Sequence, residues 1–194
     1  MAAKGKIIVL SAPSGTGKST IIKELMAMPD LKLGFSISAT CRAPRGNEQN
    51  GREYYFLSPE QFSQFVSEDK FVEWEEVYPG CCYGTLLSEV ERVTESGHNL
   101  IMDIDVKGAL NIKRVFGSEA CCIFIEPPSL EELGRRLRDR GTDAPEVIEK
   151  RLAKADYELS FAPQFDDVVV NDSLPQAVEG VRRMILNFIS TEKD

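Results

Sequence analysis

The stretch KIIVLSAPSGTGKSTII, residues 6–22, decides the fold of this chain. The apolar block at 7–10 is typical of a buried strand, and a turn-forming loop leads from it directly into a helical pattern. The loop nearly matches the phosphate-binding motif G-x-x-x-x-G-K-[ST], although Ala12 stands where the motif has its first glycine. The stretch therefore predicts a strand, an anion-binding loop and a helix, in that order.

The loop contains the residues that phosphate binding needs. Gly15 and Gly17 let successive backbone N–H groups point inward, and the following helix adds the partial positive charge of its N-terminus. Lys18 is placed to reach the β- and γ-phosphates of a nucleotide, and Ser19 offers a hydroxyl to Mg²⁺. Ala12 is compatible with this role if its backbone is extended, because a positive φ costs alanine about 1 kcal/mol or more. The alternative interpretation is a glycine-rich turn with a solvated lysine.

Composition and charge exclude several classes of protein. The chain has 194 residues, 42% of them hydrophobic, and a formal net charge of -8, so we expect one globular domain that does not bind nucleic acid. No apolar run approaches the ~20 residues that span a bilayer, and no signal-like segment precedes the first strand. We therefore expect a cytoplasmic protein without a membrane partner. The five cysteines are odd in number and lack C-x-x-C spacing, which argues against a zinc site or a disulfide framework.

Short apolar runs alternate with longer amphipathic stretches along most of the chain. The predicted strands are residues 7–10, 35–38, 100–104, 121–125 and 168–170. The predicted helices are residues 19–28, 86–95, 106–115, 129–140, 145–159 and 174–189. This alternation predicts an α/β protein with a three-layer P-loop fold, in which helices cover both faces of a five-stranded parallel sheet.

Two regions break the alternation. Residues 36–85 combine an Arg-Pro-Arg-Gly turn, the aromatic run EYYFL, a helix-like PEQFSQFV and a strand-like FVEWEEVY, which predicts a small mixed insertion. Within it, Arg42 and Arg45 could bind a phosphate with their forked guanidinium groups, although a solvated loop is the simpler interpretation. Residues 135–151 are charge-dense and contain GTDAP, which predicts a mobile flap between two helices.

The motifs of the chain, taken in order, resemble those of the guanylate kinases. From residue 6 to about residue 188 they are SAPSGTGKST, FSISATCRAPR, NGREYYF, FVEWEEV, CYGT, IMDIDVKG, FIEPPS, RRLRDRGTD, EKRL and VVND. The resemblance implies transfer of the γ-phosphate of ATP to GMP with Mg²⁺ as cofactor, giving ADP and GDP for GTP supply and GMP recycling. It implies a guanylate kinase-like domain at 4–188, with a core at 4–35 and 97–188, a GMP-binding insertion at 36–96 and a lid at about 135–151.

The resemblance also implies roles for the residues that match the family's motifs. Its ATP-binding residues are Ala12, Pro13, Ser14, Gly15, Thr16, Gly17, Lys18, Ser19, Thr20, Arg136, Arg140, Asn171 and Asp172. Its GMP-binding residues are Ser38, Arg42, Arg45, Tyr54, Glu73, Tyr83, Thr85, Asp103 and Asp105. Its catalytic residues are Lys18, Arg42, Arg136, Arg140 and Arg151. Ser19 is implied as the protein's ligand to Mg²⁺, the other ligands being mostly water.

Glu73 is expected to select the base. A carboxylate can accept hydrogen bonds from the N1–H and the 2-amino group of guanine, whereas adenine offers neither of these donors. AMP would therefore leave a desolvated charge unpaired, a mismatch worth roughly 10⁴-fold in other sites built for hydrogen bonds. Without the resemblance, Glu73 would be interpreted as an exposed strand residue.

The two aspartates of IMDIDVKG follow an apolar strand, and we expect them to alternate in direction, so that at most one points to any single face. The resemblance implies that Asp103 faces the acceptor nucleotide and that Asp105 lies near the metal and phosphates. An ion pair with Lys107 is the alternative for Asp105. Asn171 and Asp172, implied as contacts to adenine, would otherwise be interpreted as a turn.

The arginines of the flap also have two interpretations. Arg136 and Arg140 are one helical turn apart, so they share a face, and Arg151 follows from the next helix. The resemblance implies that these three close on the phosphates of ATP. A solvated, salt-bridged helix surface is the alternative, and we expect it to describe Arg135 and Arg138.

Two other functions are compatible with parts of the sequence. The run from Asp105 to Gly108 matches the D-x-x-G of GTPase switches, but the Asn-Lys-x-Asp element that reads guanine in those proteins is missing. Some guanylate kinase-like domains are interaction scaffolds without catalysis, and Lys18 and Ser19 argue against that role here. His98, in the segment SGHN, is expected at the surface without a partner.

The chain departs from the family at three cysteines. Cys41 stands in Thr-Cys-Arg where the family often has Thr-Thr-Arg, and Cys81 and Cys82 stand where it often has Asn-Tyr. The neighbouring Arg42 and Tyr83 are retained. We expect one or more of these thiols to lie near the acceptor pocket and to be open to modification.

Overall fold

The computed structural model describes residues 4–141 and 143–191. Within them the strands are β1 (Ile7–Ser11), β2 (Leu33–Phe35), β3 (Ala39–Thr40), β4 (Tyr55–Phe56), β5 (Phe71–Tyr78), β6 (Cys81–Leu86), β7 (Asn99–Asp103), β8 (Ala120–Glu126) and β9 (Asp167–Val170). The core sheet has the order β2-β7-β1-β8-β9, and each neighbouring pair is parallel. The predicted α/β fold with five parallel strands is confirmed.

Helices cover both faces of the core sheet. They are α1 (Lys18–Met26), α2 (Pro59–Ser67), α3 (Leu87–Glu95), α4 (Val106–Phe116), α5 (Leu130–Asp139), α6 (Pro145–Leu159) and α7 (Leu174–Ser190). In β1, Ile8 and Leu10 join the apolar cluster with α1 and α7, whereas Ile7 and Val9 join the cluster with α3 and α4. Because successive side chains point to opposite faces, a strand covered on both sides is apolar throughout, as residues 7–10 are.

One strand of the core sheet was predicted in the wrong place. We expected residues 35–38, but β2 is Leu33–Phe35 and pairs with only three residues of β7. The N–H of Ile37 donates instead to the carboxylate of the buried Glu89, at 2.8 Å. The chain leaves the core sheet at this point to enter a second sheet, so the alternating letters FSIS do not mark one continuous strand.

The second sheet has the order β4-β3-β6-β5, with one parallel and two antiparallel pairs. It therefore has the mixed character that the sequence of residues 36–85 predicted. Helix α2 begins at a reciprocal cap between Ser58 and Gln61 and stacks Phe62 on Phe71 of β5. The helix stabilises the outer edge of the sheet and leaves the opposite face free for a site.

Helices α5 and α6 form a small apolar core of their own. Its fully buried members Leu133 and Leu137 also lie directly over the loop between β1 and α1. The helix pair therefore rests on that loop and brings its charged side chains to it. None of the described helices has the length and apolar character needed to cross a membrane.

Candidate functional site

Two glycines determine the path of the loop between β1 and α1. Gly15 has a φ of 96° and Gly17 a φ of 97°, a region that residues with a Cβ rarely adopt. A Cβ at Gly17 would also lie 2.6 Å from Nδ2 of Asn171. Ala12 is not among the described non-glycine residues with a positive φ. The alanine therefore causes no backbone strain, and the departure from the motif is compatible with the loop.

Thr16 and Asn171 hold the loop from the inside. Thr16 is fully buried, and its hydroxyl donates to the carbonyl of Pro13 at 2.8 Å. Asn171, just after β9, donates from Nδ2 to the carbonyl of Thr16 at 2.7 Å. Both residues were predicted as ATP contacts, but the polar groups named here are engaged with the loop itself. Their hydrogen bonds stabilise the loop rather than point toward a ligand.

Lys18 forms an ion pair with Asp103 at the end of β7, and its Nζ lies 3.4 Å from the carbonyl of Ile104. The contact arises because β1 and β7 are parallel neighbours whose carboxyl ends meet at one edge of the sheet. Ser19, Asp103 and Asp105 line the same cavity, which has a volume of about 390 Å³. The expectation that at most one of the two aspartates points to a single face was wrong, because residues two apart in an extended segment share a face. The structure thus brings together loop and strand residues that are far apart in the sequence.

The predicted lid arginines approach the loop from α5 and α6. Arg136 and Arg140 line a neighbouring cavity of about 450 Å³. The same lining contains Gly15, Thr16, Gly17, Thr20, Asn171 and Asp172. Arg136 donates through Nη1 to the carbonyl of Asn171 at 3.0 Å, and Arg151 donates to Oγ of Ser14 at 2.9 Å. All three arginines are therefore near the loop, as expected.

Glu132 contacts the predicted lid residue Arg136 and was not identified from the sequence. Its carboxylate pairs with Arg135 and with Arg136, each at 2.8 Å, and these partners lower its pKa to about 2. Arg135 also pairs with Asp139 and is exposed, so the surface interpretation given for it is correct. The spacing of Glu132 and Arg136, four apart on a helix, was the available signal.

Glu73 lies in β5 opposite Thr85 of β6. The hydroxyl of the buried Thr85 donates to Oε1 of Glu73 at 2.7 Å. The other carboxylate oxygen of Glu73, Oε2, lies close to the backbone of Gly108, because a Cβ added at that glycine would be only 3.1 Å from it. Burial raises the pKa of Glu73, and the hydrogen bond from Thr85 partly offsets this effect. The interpretation of Glu73 as an exposed strand residue is therefore wrong.

The Arg42 guanidinium is fixed by contacts on several sides. It donates through Nε to the hydroxyl of Tyr83 at 2.9 Å and forms two bonds with Glu48, at 2.7 and 2.9 Å. It also stacks over the ring of Tyr54 at 4.9 Å. Glu48 and, after it, Tyr83 raise the pKa of Arg42. Arg42 is in turn the main cause that lowers the pKa of Glu48, to about 2. Arg42 is thus held in place rather than solvated, while Arg45 is exposed.

A cavity of about 190 Å³ lies between the two sheets. The predicted GMP residues that line it are Ser38, Tyr54, Glu73, Tyr83, Asp103 and Asp105. The predicted GMP residues Arg42, Arg45 and Thr85 are not part of this lining. Arg42 and Thr85 contact the lining residues Tyr83 and Glu73, and the N–H of Arg45 donates to Glu48 at 2.8 Å. Glu48, six residues after Arg42 in an irregular loop, had no local pattern that could identify it.

Glu75 lines the same cavity and forms a hydrogen bond with Asp105. This bond, followed by burial, raises the pKa of Glu75 to about 7, while the pKa of Asp105 is below its usual value. Oδ1 of Asp105 accepts the backbone N–H groups of Lys107 and Gly108 at 2.7 and 3.0 Å, so it caps α4. Glu75 could have been found from its period-two spacing with Glu73 in a strand.

The oxygen ligands near the loop fit a magnesium ion. Among the described residues, no group of three His, Cys, Asp or Glu side chains could hold a metal by itself. Mg²⁺ is commonly bound by one or two protein ligands together with waters and substrate phosphates. Ser19 and Asp105, which line one cavity beside the phosphate-binding loop, supply suitable oxygen atoms.

Two other features lie apart from this site. A larger cavity of about 990 Å³ lies at the amino ends of the strands, where Lys6, Ala120 and Asp166 contribute to its lining. It contains none of the predicted site residues. His98 is exposed, but its Nδ1 lies 2.9 Å from Oγ of Ser96, so the expectation that it has no partner was wrong.

Comparisons with known proteins agree with this geometry. A family profile described as guanylate kinase matches residues 4–187. The chain is 52% identical over 191 residues to a guanylate kinase of Bacteroides fragilis, covering 98% of this chain and 93% of the relative. It is 55% identical over 185 residues to one of Porphyromonas gingivalis, covering 95% and 98%. The crystal structure of guanylate kinase from Anaplasma phagocytophilum superposes with a TM-score of 0.74 at 28% identity, covering 98% and 89%.

Proposed function

The chain belongs to the guanylate kinase family and transfers the γ-phosphate of ATP to GMP, and we propose that the loop after β1 holds ATP while the β3–β6 sheet holds GMP. The observation that carries this division is that Asp103 and Asp105 line both the loop cavity and the cavity between the sheets. Two anionic substrates bound in these cavities meet at the end of β7. Their phosphates are then neighbours.

The reaction needs no general base in this site. The second pKa of a phosphate monoester is near ~6, so GMP is mostly dianionic at neutral pH and its phosphate oxygen can attack directly. The acceptor phosphate is placed by Arg42, Arg45, Tyr54 and Tyr83. The existing bonds from Arg42 to Tyr83 and Glu48 support this role, because a guanidinium already held in place loses little freedom when it binds.

Catalysis then comes from positioning and from neutralising charge. Lys18 lies beside the phosphates of ATP, and Arg136, Arg140 and Arg151 approach them from the lid. Ser19 would hold Mg²⁺, which supplies further neutralisation of the phosphate charge when it is bound. Asp103 orients Lys18 through their ion pair.

We also propose how the chain moves and where it works. Residues 135–151 act as a lid whose closure excludes water, so that the phosphoryl group passes to GMP rather than to water. Residues 36–96 form the GMP-binding part and residues 4–35 and 97–188 the core. The substrates and the net charge of -8 support a cytoplasmic enzyme that does not bind nucleic acid.

The test is a phosphoryl-transfer assay with ATP, Mg²⁺ and each nucleoside monophosphate in turn. We expect transfer to GMP far in excess of transfer to AMP, and we expect Lys18→Ala to abolish it without loss of fold. Lys23→Ala is the matched control, because Lys23 is exposed in the last turn of the same helix. Near-normal transfer by the Lys18→Ala protein would refute the assignment of the loop.

The same assay separates the other functions that the sequence allowed. Hydrolysis of GTP that does not depend on GMP would indicate a switch. Binding of GMP without any transfer would indicate a scaffold. Equal rates with AMP and GMP would refute the role of Glu73.

A further inference from the structure

Three thiols flank the residues assigned to the phosphate of GMP. Cys41 directly precedes Arg42, and Cys81 and Cys82 directly precede Tyr83. All three are free and partly exposed. Phosphoryl transfer uses none of them, so their chemistry is available for another purpose.

The β3–β6 ladder places two of these thiols opposite each other. Ala39 pairs with Gly84 and Thr40 with Tyr83, so the antiparallel register continues to Cys41 and Cys82. The N–H of Cys41 donates to the carbonyl of Cys82 at 3.2 Å, and the N–H of Cys82 donates to the sulfur of Cys41 at 3.0 Å. The sulfur of Cys41 therefore already lies against β6 at Cys82.

The spacing of this pair suits a disulfide. Directly opposed residues of antiparallel strands have Cα atoms about 4.5–5.5 Å apart, within the roughly 4.4–6.8 Å that disulfides span. Opposed residues also point to the same face of a sheet. Burial, and next the neighbouring thiol of Cys41, raise the pKa of Cys82 to about 11.

The pair is accessible without entry into the GMP cavity. Tyr83 lines that cavity, and because successive side chains in a strand alternate, Cys82 points to the other face of the sheet. Cys41 does not line the cavity, and its sulfur lies against β6, where it accepts the N–H of Cys82 and donates to the carbonyl of Gly80 at 3.4 Å. Cys81 lies on the cavity face, where its sulfur is 3.7 Å from the hydroxyl of Tyr83. The three thiols thus divide into a pair outside the cavity and one separate thiol.

We propose that Cys41 and Cys82 are a reversible modification site, at which an intramolecular disulfide forms by exchange with a low-molecular-weight disulfide and weakens GMP binding. The thiolate of Cys41 attacks one sulfur of the reagent, whose other half leaves as a thiolate and takes up a proton. Cys82 then loses its proton to solvent and attacks the sulfur of Cys41, releasing the second half. Two protein thiols are oxidised by two electrons, and one reagent disulfide is reduced to two thiols.

The bond affects GMP because the pair adjoins the phosphate ligands. Two bonded sulfurs are about 2.05 Å apart, so the Cys41 side chain must turn toward Cys82, and the N–H of Cys82 loses its present acceptor. Thr40 links Cys82 to Arg42, because its hydroxyl donates to the carbonyl of Cys82 at 2.8 Å and accepts the N–H of Arg42 at 3.3 Å. Arg42 is therefore displaced, and a shift of about 1 Å at such a group can cost up to 10²-fold.

The experiment uses the full chain, incubated with oxidised glutathione, trapped with an alkylating agent and mapped by mass spectrometry. We expect loss of two hydrogen atoms in the intact mass, a peptide cross-link from Cys41 to Cys82, and an increase of roughly tenfold or more in the KM for GMP. The KM for ATP should stay within about twofold, and a dithiol reductant should reverse both changes.

Single-cysteine variants provide the controls. Cys41→Ser should give no cross-link, Cys82→Ser should stop at the mixed disulfide of Cys41 with glutathione, and Cys81→Ser should still form the cross-link. A cross-link that includes Cys81, a stable glutathione adduct in place of the cross-link, or a mapped cross-link with unchanged KM for GMP would each overturn the proposal. The kinetic part depends on the proposed function, but failure of the reduced protein to phosphorylate GMP would refute that function and leave the mapped cross-link valid.

Discussion

Replacing Glu73 by glutamine tests the selection of guanine directly. In the proposed complex the two carboxylate oxygens accept the N1–H and the 2-amino group, and hydrogen bonds to charged groups contribute about 1.5–3 kcal/mol each. Glutamine keeps the shape of the side chain, but its NH₂ group is a hydrogen-bond donor. It therefore faces either the N1–H or the 2-amino group of guanine without accepting a hydrogen bond from it. Because one of the two charge-assisted hydrogen bonds is lost, we expect Glu73→Gln to lose about 1.5–3 kcal/mol of transition-state stabilisation, a fall of roughly 10–10²-fold in kcat/KM for GMP.

The pKa of Glu73 adds a pH dependence with a definite sign. Burial raises this pKa, so Glu73 becomes protonated at a pH where an ordinary glutamate is still ionised. A protonated carboxyl cannot accept both guanine donors, so the KM for GMP should rise as the pH falls through the raised pKa. The part of the dependence that comes from Glu73 should be absent in the Glu73→Gln protein, in which the titrations of Glu75 and of the GMP phosphate remain near this cavity.

Stability separates this effect from damage to the fold. A raised pKa means that the folded protein holds the proton of Glu73 more tightly than the unfolded chain does. The free energy of unfolding therefore falls as the pH rises from the pKa of Glu73 in the unfolded chain to its higher pKa in the folded protein. At neutral pH we therefore expect the Tm of the Glu73→Gln protein to equal or exceed that of the original protein.

The assay compares kcat/KM for GMP and AMP, the KM for ATP, and Tm. Glu76→Gln is the matched control, because Glu76 is exposed on the same strand and points to the face away from the cavity. A Glu73→Gln protein whose kcat/KM for GMP is within about threefold of the original, or whose preference for GMP over AMP is unchanged, would refute the reasoning.

Two further substitutions test other parts of the site. Arg42→Lys should raise the KM for GMP by about 10–100-fold and change the KM for ATP little, because lysine cannot reproduce the forked guanidinium bound to Glu48 and Tyr83. Steady-state kinetics measure both constants, and an unchanged KM for GMP would contradict the prediction. Asn171→Ala should lower stability by about 1–3 kcal/mol and raise the KM for ATP, because the buried carbonyl of Thr16 loses its donor. Denaturant unfolding and ATP kinetics test it, and a loss of stability with ATP kinetics unaffected would limit Asn171 to a structural role.

Much of the core could be predicted because its signals are local. The apolar run at 7–10 and the residues Gly15, Gly17 and Lys18 lie within one short stretch, and their spacing determines strand, loop and helix together. The strand at 35–38 was misplaced because alternating residues there belong to a crossing between two sheets. Glu48 was missed because its importance comes from its contact with Arg42 and not from any pattern around it. Glu132 was missed although its spacing with Arg136, four apart on a helix, was a local signal.

The sequence by itself determined the order of strands and helices, the phosphate-binding loop and, through resemblance, the family. Only the tertiary structure decided that Lys18 pairs with Asp103, that Glu73 is half-buried beside Thr85, and that Cys41 faces Cys82. Hydrophobic periodicity shows which face of each strand or helix is apolar, and it can be read from residues that are close together in the sequence. Contacts between distant residues depend instead on strand order and register, which arise when the apolar faces of all the elements pack together.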